Sequence, residues 1–408
     1  MRVLDPGVGT GELLAAVLRR CPDAHLTGWD IDPTALAAAG ELVPGATLEL
    51  RSALDLKRNE VPGLAVDGEP QTTRPHAGSD CADPEFDLVI GNPPYFQVPV
   101  TPDLKERFGE VISGRANTFA LFFKAGLDLL APEGTLAFVV PPSMNSGAYF
   151  EALREHIVAR ARITDLTLLE GTGLFEGANT AAQLLVLRKN GESGHRNPAS
   201  QFVFERRDDD AGFRRVVFSR NPGELEAGFK GRKTLWQLGF EAVTGTVVWN
   251  QHRATLRDRA GPGSVPLVWS GDLRGGTLEL DSGSSRGQGT PPGQDDGRRR
   301  RRSGAGLPDN RPGHVIGRTA LSGPALLVNR VVGSVGRGEI RTGLILPGVP
   351  FLAENHVNVI RPRSGFKQRV DWEELQSRMS QPGVVERLRL LTGNTQISAT
   401  ELTHLIPV

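Results

Sequence analysis

The sequence predicts an α/β fold: a Rossmann-like, doubly wound and mostly parallel sheet, followed by a mixed α+β region. Short apolar runs alternate with amphipathic helical patterns over the first 190 residues, which is typical of parallel strands joined by helical crossovers. The stretch "VLDPGVGTGELL" contains the strand, glycine-rich turn and helix start found in such sheets. After residue 190 the apolar runs are short and separated by Gly, Pro and Arg, which indicates a second domain.

The elements of the first half follow from apolar periodicity and from the residues that end each run. The predicted strands are Arg2–Asp5, His25–Asp30, Thr47–Arg51, Phe86–Gly91, Thr135–Val140, 163–168 and 182–188. The predicted helices are Gly11–Arg20, Pro33–Leu42, Asn117–Leu130 and 147–160. Residues 61–84 are rich in Gly, Pro and Asp, which predicts a mobile surface loop.

The second half divides into a connector, 191–240, and a domain, 241–408. Its short β-like runs are Phe202–Phe204, Val216–Phe218, Thr246–Trp249, Val265–Trp269 and Ala325–Val332. Residues 280–313 contain almost no large apolar side chain and include five consecutive arginines, so we expect a disordered insert there.

Length and composition exclude several classes of protein. The 408 residues are 38% hydrophobic, enough for two or three domains with cores of their own. Cys21 and Cys81 lie far apart, which argues against a disulfide framework and a zinc site. No apolar run reaches membrane-spanning length, and the N-terminus enters a strand directly. We therefore expect a cytoplasmic protein without a metal and without a membrane partner.

The net charge of zero hides an asymmetry between the two halves. Residues 1–190 hold 16 Lys+Arg and 25 Asp+Glu, and residues 191–408 hold the remaining 31 and 22. The first half therefore carries a net charge of −9 and the second +9. A basic half beside an acidic one suggests that the second half meets a polyanion, although ordinary surface variation also fits so moderate a charge.

The glycine-rich turn predicts a nucleoside-binding crevice. Gly7, Gly9 and Gly11 allow positive φ and a close approach to the backbone, and the following helix offers free N–H groups. Asp30, at the end of the second strand, can accept both hydroxyl protons of a ribose. Asp5 precedes the first glycine and would repel a pyrophosphate, so its charge favours the cationic S-adenosyl-L-methionine over NAD.

The stretch "GNPPYF" places polar and aromatic groups directly after the strand Phe86–Gly91. Two acceptors, the Asn92 side-chain carbonyl and the Pro93 main-chain carbonyl, can draw the nitrogen of a planar amine toward tetrahedral geometry. Pro93 and Pro94 end the strand and fix the backbone that carries these carbonyls. Tyr95 offers a ring on which a base can stack. The plainer alternative is a strand-ending turn with a capping Asn.

Together these stretches resemble the amino-group (N6-adenine) DNA methyltransferases of restriction–modification type. "DPGVGTGELL" looks like their cofactor loop, "WDIDP" like their ribose-binding segment and "GNPPYF" like their catalytic motif. "GRANTFALFFKAGLDLLAPEGTLAFVVPPS" resembles the helix and strand that follow. In the second half, "TGTVVWNQHR", "PLVWSGDL", "ALLVNRVVG", "FLAENHVNVIRP" and "GNTQISATEL" are similar to their recognition domain.

The resemblance implies a class I methyltransferase fold, with a catalytic domain over 1–190 and a target-recognition domain over 241–408. It implies S-adenosyl-L-methionine as cofactor, with Asp55 as the acid that binds its adenine; a helix-capping role for Asp55 is equally compatible. It implies that Phe175 stacks on a base flipped out of double-stranded DNA. Members usually have a further N-terminal segment that closes over the methionine end of the cofactor, which we expect this chain to lack.

The resemblance also implies site-specific methylation, with a cognate restriction endonuclease as a possible separate partner. Candidates for base contacts in the second half are Asn250, His252, Arg330 and Asn355, any of which could instead form loop hydrogen bonds. Three other functions remain open. The same corner suits a glutamine side chain of a protein or a base of ribosomal RNA. The chain could be a DNA-binding relic without catalysis. An NAD-dependent oxidoreductase fits least well.

Overall fold

The computed structural model describes residues 1–54, 86–169, 182–191, 201–280, 311–330, 339–366, 369–391 and 396–408. Several predicted features lie outside these ranges, namely Asp55, Phe175, the predicted loop 61–84 and nearly all of the predicted insert 280–313. The chain divides into two compact units. The first contains Met1–Ala227 and Leu390–Gly393, and the second contains Gly228–Arg389 and Asn394–Val408. The division falls within the predicted connector 191–240, and the catalytic and recognition roles of the units stay predictions.

The first unit contains the alternating elements expected from the sequence. Its strands are β1 (Arg2–Asp5), β2 (His25–Asp30), β3 (Thr47–Leu50), β4 (Phe86–Gly91), β5 (Gln97–Val98), β6 (Ala116–Asn117), β7 (Leu130–Val140), β8 (Ala161–Leu169), β9 (Ala182–Lys189), β10 (Val203–Asp208) and β11 (Phe213–Phe218). Its helices are α1 (Glu12–Arg20), α2 (Pro33–Leu42), α3 (Pro102–Phe108), α4 (Thr118–Leu129) and α5 (Glu151–Arg160), and α6 (Pro222–Phe229) leads into the second unit.

Seven strands form one sheet in the order β3-β2-β1-β4-β7-β9-β8. The first five are parallel, and β9 runs antiparallel to both of its neighbours, β7 and β8. The chain leaves β1 toward one side of the sheet and returns at β4 on the other, which makes the boundary between β1 and β4 a topological switch point. The predicted doubly wound, mostly parallel α/β fold is therefore confirmed.

Two apolar clusters cover the sheet in the first unit. One contains β1, α1 and α2 and centres on side chains such as Val3, Leu14 and Ala39, each fully buried. The other contains α4 and the strands β4 and β7, with Phe123 and Phe138 completely buried. Burying one such large side chain contributes roughly 1.5–3 kcal/mol, so these clusters fix the strand ends in place.

The hairpin β10–β11 belongs to the core of the first unit, since Val216 and Phe218 pack into the α4 cluster. Beside it lies Arg154, a residue of α5 with no exposed surface. Its Nε donates to the Val216 carbonyl at 2.6 Å, and one Nη donates to the Met144 and Gly147 carbonyls, each at 2.8 Å. This guanidinium therefore ties the loop after β7 to the hairpin.

The second unit is a mixed α+β structure. Its strands are β12 (Phe240–Thr244), β13 (Leu256–Arg257), β14 (Ser264–Val268), β15 (His314–Ile316), β16 (Leu321–Ser322), β17 (Ala325–Asn329), β18 (Thr342–Ile345), β19 (Pro350–Ala353) and β20 (Val357–Pro362). They form a four-stranded sheet, β12-β20-β17-β18, and a five-stranded sheet, β13-β15-β14-β19-β16. The helices are α7 (Trp372–Met379) and α8 (Pro382–Leu391), of which the last two residues are assigned to the first unit, followed by a π-helical turn at Glu401–Leu405.

The predicted strand Thr246–Trp249 is wrong. Only Val247 makes an isolated bridge, to Glu354. The polar main-chain groups of Val248 are satisfied locally instead. Its carbonyl accepts from the N–H groups of Gln251 and His252, and its own N–H faces the imidazole of His252 at 3.0 Å. A turn therefore takes the hydrogen bonds that a strand would need.

No helix within the described ranges combines the length and apolarity that crossing a membrane requires.

Candidate active site

Three parallel strands bring polar residues to one edge of the first unit's sheet. β1 ends at Asp5, β2 at Asp30 and β4 at Gly91. β1 and β4 pair directly, with Leu4 opposite Val89, so Asp5 and Gly91 leave the sheet side by side. This edge is the switch point, which is where open α/β sheets bind their ligands.

The loop between β1 and α1 needs glycine for its backbone conformation. Gly9 has φ of 52° and Gly11 has φ of 92°, and a side chain at Gly11 would also lie 3.1 Å from the Ala39 backbone. The Gly9 N–H donates to one oxygen of the Asp30 carboxylate at 2.8 Å, and the Asp32 N–H donates to the other at 3.0 Å. The Asp30 carboxylate is thus oriented at the edge, and its remaining lone pairs can accept from hydroxyl groups.

Asp5 is a buried carboxyl group at the start of this loop, with 1% of its surface exposed. It accepts the Gly7 N–H at 3.1 Å, and a side chain at Gly91 would lie 3.3 Å from its oxygen. Burial raises the pKa of Asp5 from its ordinary 3.8 to about 7; the Gly7 N–H opposes this shift and the Asp30 charge adds to it. A cation bound here would offset the cost of the buried negative charge.

The Asn-Pro-Pro-Tyr corner lies directly after β4. Asn92 is exposed and Pro93 is buried, so the Asn92 amide does not point into packed core. Tyr95 is 39% exposed, and its hydroxyl lies 2.7 Å from Asn92 Oδ1 and 2.8 Å from the Val139 carbonyl in β7. Burial raises the pKa of Tyr95 to about 12, which keeps the phenol neutral. The corner therefore offers an amide and a ring to ligands at the switch point.

Thr118, the first residue of α4, holds this corner from the protein interior. Its hydroxyl donates to the Pro94 carbonyl at 2.5 Å, and its N–H donates to the Phe96 carbonyl at 2.9 Å. Phe119 meets the edge of the Tyr95 ring, with centroids 6.0 Å apart and planes at 88°. We did not predict this role from the sequence, although Asn117 before an apolar helical run signals a capped helix start.

The structure thus gathers the predicted cofactor loop, Asp5, Asp30 and the Asn-Pro-Pro-Tyr corner at one edge. Asp55 and Phe175 lie outside the described residues, so their predicted roles stay predictions. In the part of the chain that the structure describes, no three His, Cys, Asp or Glu side chains lie close enough together to hold a metal ion.

In the second unit, several of the predicted base-contact residues lie near one another. The Asn355 N–H donates to the Val247 carbonyl at 3.0 Å, and Arg330 donates to the Asn355 carbonyl at 3.3 Å. His252 follows Val247 by one turn, and its Nε2 lies 3.0 Å from a guanidinium nitrogen of Arg318. Asn250 is exposed in the same turn.

A neighbouring pair, Glu354 and His356, was missed by sequence reasoning. Glu354 has no exposed surface, and both of its carboxylate oxygens contact His356 Nδ1, at 2.8 and 2.9 Å. The His356 N–H also donates to this carboxylate at 2.9 Å. The sequence signal for this pair was the stretch "ENH", from which only Asn355 was predicted to contact a base. The carboxylate holds the imidazole ring in one orientation.

Comparison with known proteins shows what this arrangement resembles. Residues 57–175, which include β4, the corner and α4, match the Eco57I restriction-modification methylase family. The resemblance to restriction–modification methyltransferases is confirmed. A type II methyltransferase of Thermus thermophilus is 26% identical over 314 residues, covering 70% of this chain and 63% of that protein. A type II methyltransferase of Bacillus subtilis is 22% identical over 433 aligned positions, covering 98% and 81%.

Two further relatives act on other substrates according to their names. A tRNA1(Val) (adenine(37)-N6)-methyltransferase of Pseudoalteromonas atlantica is 28% identical, covering 49% of this chain and 69% of that protein. A release factor glutamine methyltransferase of Caulobacter vibrioides is 38% identical, covering 25% and 29%.

Among solved structures, a Listeria monocytogenes protein described as a class I S-adenosylmethionine-dependent methyltransferase is 22% identical, covering 47% of this chain and 54% of that one. Its TM-score is 0.37, so the fold is assigned from the strand order described above and not from this similarity.

Proposed function

We propose that this chain is a site-specific DNA adenine-N6 methyltransferase, acting in a restriction–modification or related defence system. The observation that carries the proposal is the exposed Asn92 amide at the switch-point edge, beside the Tyr95 ring and close to the buried Asp5. The two type II methyltransferases support the DNA substrate, since their similarity to this chain extends beyond the first unit. We assign Asn92, Pro93, Pro94 and Tyr95 to the reaction.

The residues at the edge fit S-adenosyl-L-methionine. When bound, this cofactor supplies a methyl group on a positively charged sulfur. We assign its binding to Asp5, Gly7, Gly9, Gly11 and Asp30, with Asp55 as a further candidate. Asp5 is a buried carboxyl group suited to a cationic amine, and the oriented Asp30 carboxylate suits the two hydroxyl groups of a ribose. Gly9 and Gly11 have positive φ and carry no side chains, so the loop backbone can lie close to a bound cofactor.

The pKa of Asp5 predicts how cofactor affinity varies with pH. With a pKa of about 7, Asp5 is largely neutral at pH 6 and charged at pH 8. A cationic ligand prefers the charged form, so we expect the Kd for S-adenosyl-L-methionine to be about tenfold weaker at pH 6 than at pH 8. Calorimetric titration of the full chain at both pH values measures this.

Asp5→Asn should remove this pH dependence and bind the cofactor weakly at both pH values. It should also stabilise the free protein at pH 8. The folded pKa is raised, so the contribution of Asp5 to stability is lost as pH rises from 3.8 through about 7. The matched control is Asp23→Asn, which removes an exposed carboxylate and should change neither property. Equal affinities of the unsubstituted protein at pH 6 and pH 8 would contradict the assignment.

The corner acts on the target amine through fixed acceptors. In the proposal, the Asn92 side-chain oxygen and the Pro93 carbonyl accept hydrogen bonds from the two N–H groups of the adenine amine. These hydrogen bonds direct the nitrogen lone pair toward the methyl group. The adenine must leave the DNA stack to reach them, at a cost of a few kcal/mol. Stacking on Tyr95, and on Phe175 as a second candidate, offsets part of that cost by roughly 1–3 kcal/mol per base.

We propose that the second unit supplies DNA recognition. The residues 191–408, which include the second unit, carry a net charge of +9, and a basic surface favours contact with phosphates. The candidates for base contact are Asn250, His252, Arg330 and Asn355. His356 is a further candidate, because the buried Glu354 carboxylate holds its ring in one orientation. A cognate restriction endonuclease would be a separate protein.

The second candidate function is methylation of an RNA base or of a glutamine side chain. It is favoured by the relatives named for a tRNA adenine and for a release-factor glutamine. Both of these substrates carry a planar amine or amide. Those relatives match about half of this chain or less, and the basic second half has no evident role in such a reaction.

Transfer of a labelled methyl group separates these functions. We expect the full chain, given S-adenosyl-L-methionine labelled in the methyl group, to label duplex DNA and to yield N6-methyladenine after digestion. Parallel reactions contain tRNA, ribosomal RNA and a peptide-chain release factor, which we expect to stay unlabelled. Label in RNA or protein alone would establish the second candidate, and DNA binding without any transfer would establish a non-catalytic relic.

A further inference from the structure

The hydroxyl of Tyr95 has more acceptors than it has hydrogens. It lies 2.7 Å from Asn92 Oδ1 and 2.8 Å from the Val139 carbonyl, and both distances are those of O–H···O hydrogen bonds. A neutral phenol carries a single hydrogen, and the pKa of Tyr95, which burial raises to about 12, lies far above neutral pH. In this arrangement one of the two carbonyl oxygens faces the hydroxyl oxygen without a hydrogen between them.

Turning the Asn92 amide by 180° removes the conflict. The two ends of a carboxamide have nearly the same size, so the turn exchanges Oδ1 and Nδ2 without further movement. The Tyr95 hydroxyl can then donate to Val139 while its oxygen accepts a hydrogen from Asn92 Nδ2. Both contacts are then satisfied, and Asn92 Oδ1 lies at the end of the amide away from the Tyr95 hydroxyl, on an exposed side chain.

We infer that the Tyr95 hydroxyl is a positioning group that turns the Asn92 amide so that its oxygen faces the target amine. The inference rests on the proposed function, since it specifies how the corner selects an amine. Without this turn, Asn92 Oδ1 stays at the Tyr95 hydroxyl and only the NH₂ end of the amide is left for the target amine, which also donates. The hydroxyl therefore adds an orienting role to the stacking role of the ring.

The structure offers a close control for this role. Tyr95 and Tyr149 are the two tyrosines of the chain. The Tyr149 hydroxyl is buried and has no hydrogen-bond partner among the described residues. Tyr149→Phe therefore removes a hydroxyl that makes no hydrogen bond within the described ranges, whereas Tyr95→Phe keeps the stacking ring and removes the orienting hydroxyl.

The first test measures the amide itself and needs no catalysis. In the full chain labelled with ¹⁵N-asparagine, Asn92→Asp identifies the side-chain NH₂ signals of Asn92. One of its two hydrogens should be shifted downfield and exchange slowly with solvent. Tyr95→Phe should abolish both properties and Tyr149→Phe should preserve them. Unchanged Asn92 signals in Tyr95→Phe would overturn the inference.

The second test uses a double-mutant cycle. A carboxylate presents an oxygen in either orientation, so Asn92→Asp makes the orienting hydroxyl unnecessary. We expect Tyr95→Phe to lower kcat roughly tenfold with KM for DNA unchanged, and to have less than a twofold effect in the Asn92→Asp background. An equal loss in both backgrounds would mean that the hydroxyl only anchors the ring, and no loss in either would remove its role.

The two tests separate this inference from the proposed function. If no substrate class accepts a methyl group from the unsubstituted protein, the proposed function fails, while the asparagine signals still report whether Tyr95 turns the amide.

Discussion

Asn92→Ala is expected to lower methyl transfer to DNA by roughly 10²-fold or more, because it removes an acceptor aimed at charge that develops in the transition state. Asn92 is exposed and its side chain contacts the Tyr95 hydroxyl, so its loss leaves the core untouched. We therefore expect the fold, cofactor affinity and DNA affinity to stay close to those of the unsubstituted protein. Single-turnover transfer with both ligands saturating measures the chemical step directly.

The matched control is Asn190→Ala. Asn190 follows β9, which runs antiparallel to β7, so it lies at the opposite edge of the sheet from the corner. Its amide donates to the Ala159 carbonyl at 3.3 Å in an exposed position. Asn190→Ala should leave the transfer rate within about twofold. If Asn92→Ala and Asn190→Ala transfer methyl groups at equal rates, the corner does not carry the chemistry.

The sequence predicts the parallel strands well because strong local signals end them. β1, β2 and β4 have the bounds expected from apolar runs that stop at an acid or at Asn-Pro-Pro. α3 was missed, although Thr101 accepts from the Leu104 N–H and Pro102 begins the helix. The apolar pattern of Thr246–Trp249 predicts a strand, because such a pattern depends only on the residues within the run. The turn that forms instead depends on the His252 imidazole, which lies outside the run.

For the site, strand ends were enough to predict which residues meet. Parallel neighbours share an edge, so Asp5, Asp30 and Asn92 had to come together once the strand order was known. What holds them was not predictable. Tyr95 reaches Val139 across 44 positions of the chain, and Thr118 reaches Pro94 across 24. Such contacts depend on how helices pack over the sheet, which no local pattern specifies.

A second large effect concerns stability: Arg154→Met should destabilise the protein by about 3–5 kcal/mol. The Arg154 guanidinium is fully buried and donates to the carbonyls of Met144, Gly147 and Val216. A methionine fills similar space and donates nothing, so these carbonyls are left without that donor. An unsatisfied buried carbonyl costs roughly 1–3 kcal/mol. Urea unfolding followed by circular dichroism measures the loss.

Arg162→Met is the control, because Arg162 is exposed on β8 and its removal should change stability by less than about 0.5 kcal/mol. Hydrogen exchange should assign the Arg154 effect to residues 144–147 and 216, the partners of the lost donor. Equal unfolding midpoints for the two arginine variants would mean that solvent or other donors replace the guanidinium. Paired with Asn92→Ala, the experiment separates a residue needed for stability, next to the loop after β7, from a residue needed for chemistry, directly after β4. Arg154 is needed for the loop to be folded, whereas Asn92 is needed only when the amine reacts.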